Sequence, residues 1–417
     1  MHASIPSGTP PAAGKMGTRE FVALMAMIQA LQALAIDAML PALGVMSEDL
    51  GVHDSNRRQL VVGVFLICSG VTSLFPGALA DRFGRRPVLF ASLSGYVLFN
   101  IAAALAPDFT LLLVCRGLAG AFSSGLLVLT AAIIRDRFEG DRMARTQSLV
   151  SMVFMVVPMA APTLGQGLLT VASWRWIFGL MAGLGAAVSV WAWIRVPETL
   201  HPEFRQRIEP AVIARNMRTV FLTRAAVGYV VGMALVQGAL FGYINSSQQL
   251  VAEHFGAGRA FPLIFGGMAL FMALCSLTNS RIVERFGARR VSHTALIGYV
   301  VLGALQLGFA IRGGETIWQF APLMTLNLCV MGFIGANFQS IALQPFARIA
   351  GAAASVQAFM RLMVGSALGA LIGQAYDGTA EPLAWALLLA GVAALLLVLY
   401  SERGRLFRRL HGQVAQA

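Results

Sequence analysis

Apolar runs of roughly 18 to 25 residues recur from one end of the chain to the other, each long enough to cross a hydrocarbon core ~30 Å thick as an α-helix. Short polar breaks separate them, and the alternation predicts twelve spans near 20–41, 60–80, 87–106, 109–134, 147–170, 176–195, 224–249, 261–280, 291–311, 317–341, 352–375 and 382–400. Residues 1–18 are polar and rich in Pro, Gly and Ser, and read as a short disordered tail with no cleavable signal. The longest polar break runs from Arg195 to Thr223 and contains Pro197, Pro202 and Pro210. It divides the chain into a tail (1–18), a six-helix bundle (19–196), a cytoplasmic linker (197–223), a second six-helix bundle (224–401) and a basic tail (402–417). The fold class expected is an all-α membrane protein of twelve transmembrane helices in two pseudo-symmetric halves.

Composition sharpens this picture. Of 417 residues, 57% are hydrophobic and only 12% charged, with a mean hydropathy of +0.72. A soluble domain carries about 25% charged residues, so this chain has too few to clothe a soluble surface. The net charge of +12 raises nucleic acid as a partner, but the placement of the charges argues against it. With the N-terminus in the cytoplasm, 24 of the 31 Lys and Arg residues fall in inner segments, among them Arg135, Arg137, Arg142 and Arg145. Five fall outside (Arg57, Arg58, Arg175, Arg259 and Arg312), and two, Arg116 and Arg361, lie within spans. This is the positive-inside asymmetry of a protein with both termini in the cytoplasm. Arg403, Arg405, Arg408 and Arg409 are then placed to rest on anionic lipid. The cysteines Cys68, Cys115, Cys275 and Cys329 all lie in apolar runs, which fits small buried hydrophobes and neither a disulfide framework nor a metal site.

A repeat links the two halves. Residues 77–86 read Gly-Ala-Leu-Ala-Asp-Arg-Phe-Gly-Arg-Arg, and residues 280–289 read Ser-Arg-Ile-Val-Glu-Arg-Phe-Gly-Ala-Arg, an offset of 203 after the second span of each half. Parallel six-helix halves with a substrate site between them near the midplane are a transporter architecture. In the first copy, Gly77 suits close approach of another helix, and Gly84 suits the turn before Pro87 opens the next helix. Asp81 sits where a charge could pair across the interface between halves, with Arg82, Arg85 and Arg86 at hand.

This segment, Gly77-x-x-x-Asp81-Arg82-x-Gly84-Arg85-Arg86, resembles the cytoplasmic loop motif of the major facilitator superfamily, in which it acts as a conformational latch. Ile36-Asp37-Ala38-Met39-Leu40-Pro41 resembles the first-helix signature of the twelve-span drug:proton antiporters and of their bicyclomycin and chloramphenicol exporter branch. Arg116-Gly117-Leu118-Ala119-Gly120 is similar to the fourth-helix motif of the family, with Ala119 where Gln is common. The stretch from Pro158 through Pro162, Gly165 and Gly167 resembles the fifth-helix antiporter motif, with Gln166 in place of a usual Gly. Trp174-Arg175-Trp176 and Pro197-Glu198-Thr199-Leu200 fit the same branch.

The charged residues at membrane depth carry the candidate chemistry. A charge there costs at least ~2.5–3.5 kcal/mol, which makes such a residue a functional candidate by default. Asp37 is the one acid well inside a span of the first half, on a helix face with Ala26, Ala30 and Ala33. Counting residues at 1.5 Å each puts Asp37 roughly 6 Å and Arg116 roughly 11 Å from the outer ends of their spans, close enough for a pair. Arg116 is expected to hold Asp37 ionised until substrate or a conformational step separates them, and the family assigns its fourth-helix arginine to proton coupling. The bland reading is a structural ion pair or an arginine bonded to carbonyls. Arg361 lies near mid-depth of the eleventh span with no acid at matching depth in its half. It either bonds carbonyls or water, or pairs with Asp37 or an anionic substrate group. Gln29, Ala33, Gln237, Asn245 and Asn337, with Arg361, are the candidate cavity lining, although polar residues in spans mostly bond neighbouring helices.

Catalysis finds no footing: the histidines lie in loops, tails or span edges, and the sequence lacks His-Glu-x-x-His, Gly-x-Ser-x-Gly and a phosphate-binding glycine loop. The expectation is therefore a non-enzymatic, proton-coupled exporter of small hydrophobic compounds. It is expected to work as a monomer in the bacterial inner membrane, driven by the proton gradient without a cofactor, with lipid, protons and a small-molecule substrate as partners. A transporter of one defined metabolite, such as a sugar or organic acid, and a non-transporting sensor of the same fold are the other readings the residues leave open.

Overall fold

A computed structural model describes residues 16–407 apart from 53, 55, 139, 201–202 and 204–209. The side chains of some further helical positions, Pro158, Arg142 and Arg145 among them, lie outside the described residues. The elements are helical throughout: α1 (Thr18–Asp37), α2 (Leu43–Asp49), α3 (Leu60–Thr72), α4 (Phe75–Phe83), α5 (Arg85–Ala104), α6 (Phe109–Arg137), α7 (Gly140–Val171) and α8 (Arg175–Arg195) form the first part of the chain. There follow α9 (Pro210–Leu222), α10 (Arg224–Gln248), α11 (Phe261–Phe286), α12 (Ala288–Arg312), α13 (Ile317–Leu343), α14 (Ala350–Gln374) and α15 (Glu381–Ser401).

Among the described residues, 10 helical segments are long and apolar enough to cross a membrane. The pair Arg57–Thr72 and Phe75–Phe83, bent by 47°, brings the number to 11. The expected span at 147–170 falls within α7, much of whose side-chain placement lies outside the described residues. Two expected spans are thus less regular than their hydropathy. The first breaks after Asp37 and resumes as a short 3-10 turn at Leu40–Ala42 and then α2. The second breaks between Thr72 and Phe75. Residues 197–223, expected only as a linker, carry α9.

In the first half α5 packs on α6 and α8, α3 on α6, and α1 on α7; in the second α10 packs on α14 and α15, and α12 on α13 and α15. The halves meet along two seams, α3 against α14 and α7 against α11. Outward faces keep large apolar side chains exposed, including Leu98, Ile101, Val190, Trp193, Leu389 and Leu396. Water would punish such a surface, whereas hydrocarbon accommodates it. Met16, α9 and Phe407 lie at one end of the bundle, the proximal end; the opposite end is the distal end.

Candidate functional site

Asp37 closes α1 and is 4% exposed. Among the described residues it accepts no hydrogen bond and forms no ion pair. The ion pair expected with Arg116 is not formed. Arg116, wholly buried on α6, donates from Nη2 to the Ala35 carbonyl (2.9 Å) and from Nε to the Val61 carbonyl (3.0 Å). Its guanidinium lies over the Phe65 ring at 4.3 Å. The physical reason is the break in the first span. The last carbonyls of a helix lack intrahelical donors, and a cation at that end satisfies them and complements the helix dipole. Arg116 therefore caps α1 and ties it to α3.

The same break explains one glycine of the fifth-helix motif. A Cβ at Gly165 would overlap the Ala38 carbonyl oxygen and crowd Pro41. Glycine at 165 thus lets α7 lie directly on the non-helical stretch beside Asp37. Gly167 has nothing within 4 Å of a Cβ position, Pro162 is buried, and Pro158 lies outside the described residues.

The loop motif at the proximal end forms a closed charge network within the first half. Arg85 donates to Asp81 (2.5 Å) and to Asp136 (2.9 Å). The Glu198 carboxylate accepts from the backbone N–H groups of Arg85 (2.9 Å) and Arg86 (3.2 Å), which open α5. An acid at a helix N-terminus is the favoured arrangement. Gly84 has φ +107°, and a Cβ there would overlap Glu198. Arg86 reaches the Trp193 carbonyl (2.9 Å), and Arg82 is exposed over the ring of Phe83. Two expectations are corrected. Asp81 pairs with Arg85 four residues on instead of across the interface, and a Cβ at Gly77 would meet Val128 at an ordinary 3.6 Å, so no close helix approach depends on it.

The second half repeats the theme differently. Arg289 donates to Glu402 (2.8 Å), which also accepts from the Tyr229 hydroxyl (2.6 Å). Burial works against the charge on Glu402, yet these donors outweigh it and hold the carboxyl below its usual range. His293, expected at a span edge, is fully buried. Its Nδ1 accepts from the Phe407 N–H (3.0 Å), so Nε2 carries the hydrogen and donates to the Tyr229 oxygen (2.9 Å).

At the distal end polar groups tie the halves together. Arg58 pairs with Glu253, Gln59 bonds Gln249, and the Asn56 amide donates to the carbonyls of Gln374 (3.0 Å) and Tyr376 (2.8 Å). Gln249–His254 is a π-helical turn, a rare conformation that concentrates at functional sites. Below this cluster Ser366 donates to the Leu66 carbonyl (3.0 Å), and Gly70 lies against the Leu362 backbone. Immediately past Gly70 the second span bends. None of Arg58, Gln59 or Glu253 stood out in the sequence, because a cross-half pair of loop and span-edge residues leaves no local pattern.

The expected cavity lining separates into used and unused groups. Gln29 donates to Thr130 (2.8 Å), and Asn337 to Asn279 (2.9 Å); both bond neighbouring helices instead of facing open space, the commoner role for such residues. Ala33 is buried, and Gln237 is half-buried near Gly365. Asn245 is buried with both amide atoms unpaired, close to Gly373 beneath the distal cluster. Arg361 has neither a hydrogen bond nor an ion pair among the described residues. It lines a cavity of about 30 Å³ between α10, α13 and α14.

A family model described as Major Facilitator Superfamily matches residues 25–373. The chain is 25% identical over 376 residues to a bicyclomycin resistance protein homolog of Haemophilus influenzae, covering 87% of this chain and 91% of the relative. It is 26% identical over 327 residues to the multidrug resistance protein MdtL of Vibrio parahaemolyticus, covering 77% and 80%. Among solved structures, a peptide transporter, POT, in complex with sulfate superposes with a TM-score of 0.71 at 14% identity over 94% of this chain and 96% of that one. A bacterial homolog of the human lysosomal transporter Spinster, inward-facing and unoccupied, superposes with a TM-score of 0.67 at 13% identity, covering 93% and 95%.

Proposed function

This chain belongs to the Major Facilitator Superfamily, and on that premise we propose that it exports small, largely hydrophobic compounds in exchange for protons. The bacterial relatives named for bicyclomycin and multidrug resistance support the substrate class. The distribution of arginines supports placement in the cytoplasmic membrane with both termini inside, so that the distal end faces outward.

The observation that carries the proton coupling is Asp37, a buried carboxyl group with no cation fixed beside it among the described residues. Arg116 is occupied by the Ala35 and Val61 carbonyls, so Asp37 is free to bind and release a proton as its surroundings change. Export proceeds by alternating access. The cross-half contacts at the distal end hold that side shut, the proximal side admits the compound, and rocking of the halves reverses the arrangement while Asp37 takes its proton from the outer side. The Asp81–Arg85–Asp136–Glu198 network keeps the proximal ends of α4, α5, α6 and the α8 exit moving as one body.

Inside-out vesicles from an efflux-deficient bacterium test this reading. Addition of chloramphenicol-like and quinolone-like compounds should each dissipate a preformed pH gradient, and Asp37→Asn should abolish the response. A response to one compound alone would establish a single-metabolite transporter instead, and full activity in Asp37→Asn would remove Asp37 from the coupling.

A further inference from the structure

The strongest unexplained feature of the interior is a pair of unsatisfied donors in the second half. Arg361 and Gln357 stand four residues apart on α14 and so share one helix face. Both line the cavity bounded by Tyr229 and Met233 of α10 and Phe338 and Gln339 of α13. Gln357 is 8% exposed, and its Nε2 has no hydrogen-bond partner. Arg361 has no carboxylate, carbonyl or aromatic ring as partner among the described residues. Glu402, which holds the Tyr229 hydroxyl on the cavity wall, is already paired with Arg289.

An unpaired guanidinium and an unpaired amide donor aimed at one cavity are costly to keep unless something completes them. A guanidinium presents a planar fork of donors that matches the two oxygens of a carboxylate, with strength that a neutral acceptor does not reach. Met233 and Phe338 supply an apolar wall beside that fork. Arg116, the other arginine at membrane depth, bonds two carbonyls and stacks on Phe65, so the open state of Arg361 is not the general condition of buried arginines in this fold.

We propose that Arg361 and Gln357 form a recognition site for the anionic group of an amphiphilic substrate, a hydrophobic body bearing a carboxylate or similar acceptor. This rests on the transport reading above and names the substrate class within it. A cation would be repelled at this position, and a neutral isostere would bind more weakly.

Purified full-length protein in lipid nanodiscs, titrated with 2-naphthylacetate, its primary amide 2-naphthylacetamide and 2-naphthylethylammonium, separates the possibilities by fluorescence. Binding is read without a proton gradient, so it stands whether or not the export assay succeeds. The acid should bind about tenfold or more tightly than the amide, the difference a charge-assisted hydrogen bond supplies, and the ammonium should bind weakest. Arg361→Gln should bring the acid down to the level of the amide. Arg361→Lys, which keeps the charge but not the fork, should retain part of the preference, and Gln357→Leu should reduce it with the arginine in place. These two variants keep the test decisive if Arg361→Gln does not fold. Equal affinity for all three probes, no binding of the acid, or a preference for the acid unchanged in the Arg361 variants would overturn the proposal.

Discussion

Arg116 donates to the Ala35 carbonyl at 2.9 Å and leaves Asp37, two residues further along the same helix, without a partner among the described residues. The arginine and the acid thus have separate tasks, one holding the backbone at the break in the first span and the other standing free next to it. Removing the arginine should therefore act first on structure. Arg116→Ala exposes the Ala35 and Val61 carbonyls in a dry interior and should lower stability by about 2–3 kcal/mol, read as a fall in melting temperature in detergent. Arg116→Lys should recover only part of it, because a single ammonium does not reproduce the fork that spans α1 and α3. A variant as stable as the parent would mean that the break in α1 needs no cap.

Gly165 offers a sharper test of the same region. Gly165→Ala drives a Cβ into the Ala38 carbonyl and should destabilise by about 1–3 kcal/mol through overpacking. Gly167→Ala, two residues on in the same motif, meets open space and should leave melting within about 0.5 kcal/mol of the parent. Equal effects at the two positions would contradict the packing of α7 on the break.

These two glycines show what the sequence made legible and what it did not. Hydropathy placed the helices, and the repeated Arg-Phe-Gly marked the same turn in both halves: Gly84 at φ +107° and Gly287 at φ +84° each join two spanning helices. That signal is local, since a positive φ demands glycine at one position. The cap on Ala35 was not legible, because a backbone carbonyl looks the same at every residue. Nor was Glu198 marked as the acid that receives the N-terminus of α5, more than a hundred residues away in sequence. The open state of Arg361 depended on knowing that no described side chain or carbonyl around its cavity pairs with it, which only the packing shows.

The distal ion pair predicts a conformational effect larger than its energetic one. Partly exposed pairs are worth ~1 kcal/mol or less, so Glu253→Gln should barely change melting. It should nevertheless favour opening of the distal end by about fivefold, the population change that 1 kcal/mol brings. A cysteine introduced at Gly44, whose Cβ would face Arg58 and Gln248 at 3.6 Å, should be alkylated correspondingly faster from the distal side. Unchanged labelling would show that Gln59–Gln249 and the Asn56 bonds suffice to close that end.

Glu315, in the distal turn between α12 and α13, should make stability depend on pH. Burial raises its pKa to about 7, and only one carboxylate oxygen has a partner, the Gln306 amide at 3.2 Å. The folded state therefore holds a proton that the unfolded chain releases near its ordinary value of about 4.3. Stability should fall as pH rises from about 4.5 to 7, where the folded state binds more protons than the unfolded one. Glu315→Gln should flatten this slope, raising the melting temperature at pH 8 and leaving it nearly unchanged at pH 4.5. A parallel pH profile in parent and variant would remove Glu315 as its source.

Among the described residues, Asp37 on α1 and Arg361 on α14 stand without a partner at membrane depth, one in each half. An ionised pair so placed polarises the interior: the potential slopes from one half to the other instead of vanishing, and apolar walls do little to screen it. A molecule carrying both signs of charge would feel a torque on entering and settle in one orientation, its amine toward the first half and its acid toward the second. Neutralising Asp37 with a proton would remove one pole of that field, so the orientation of such a molecule and the protonation of Asp37 would follow one electrical state.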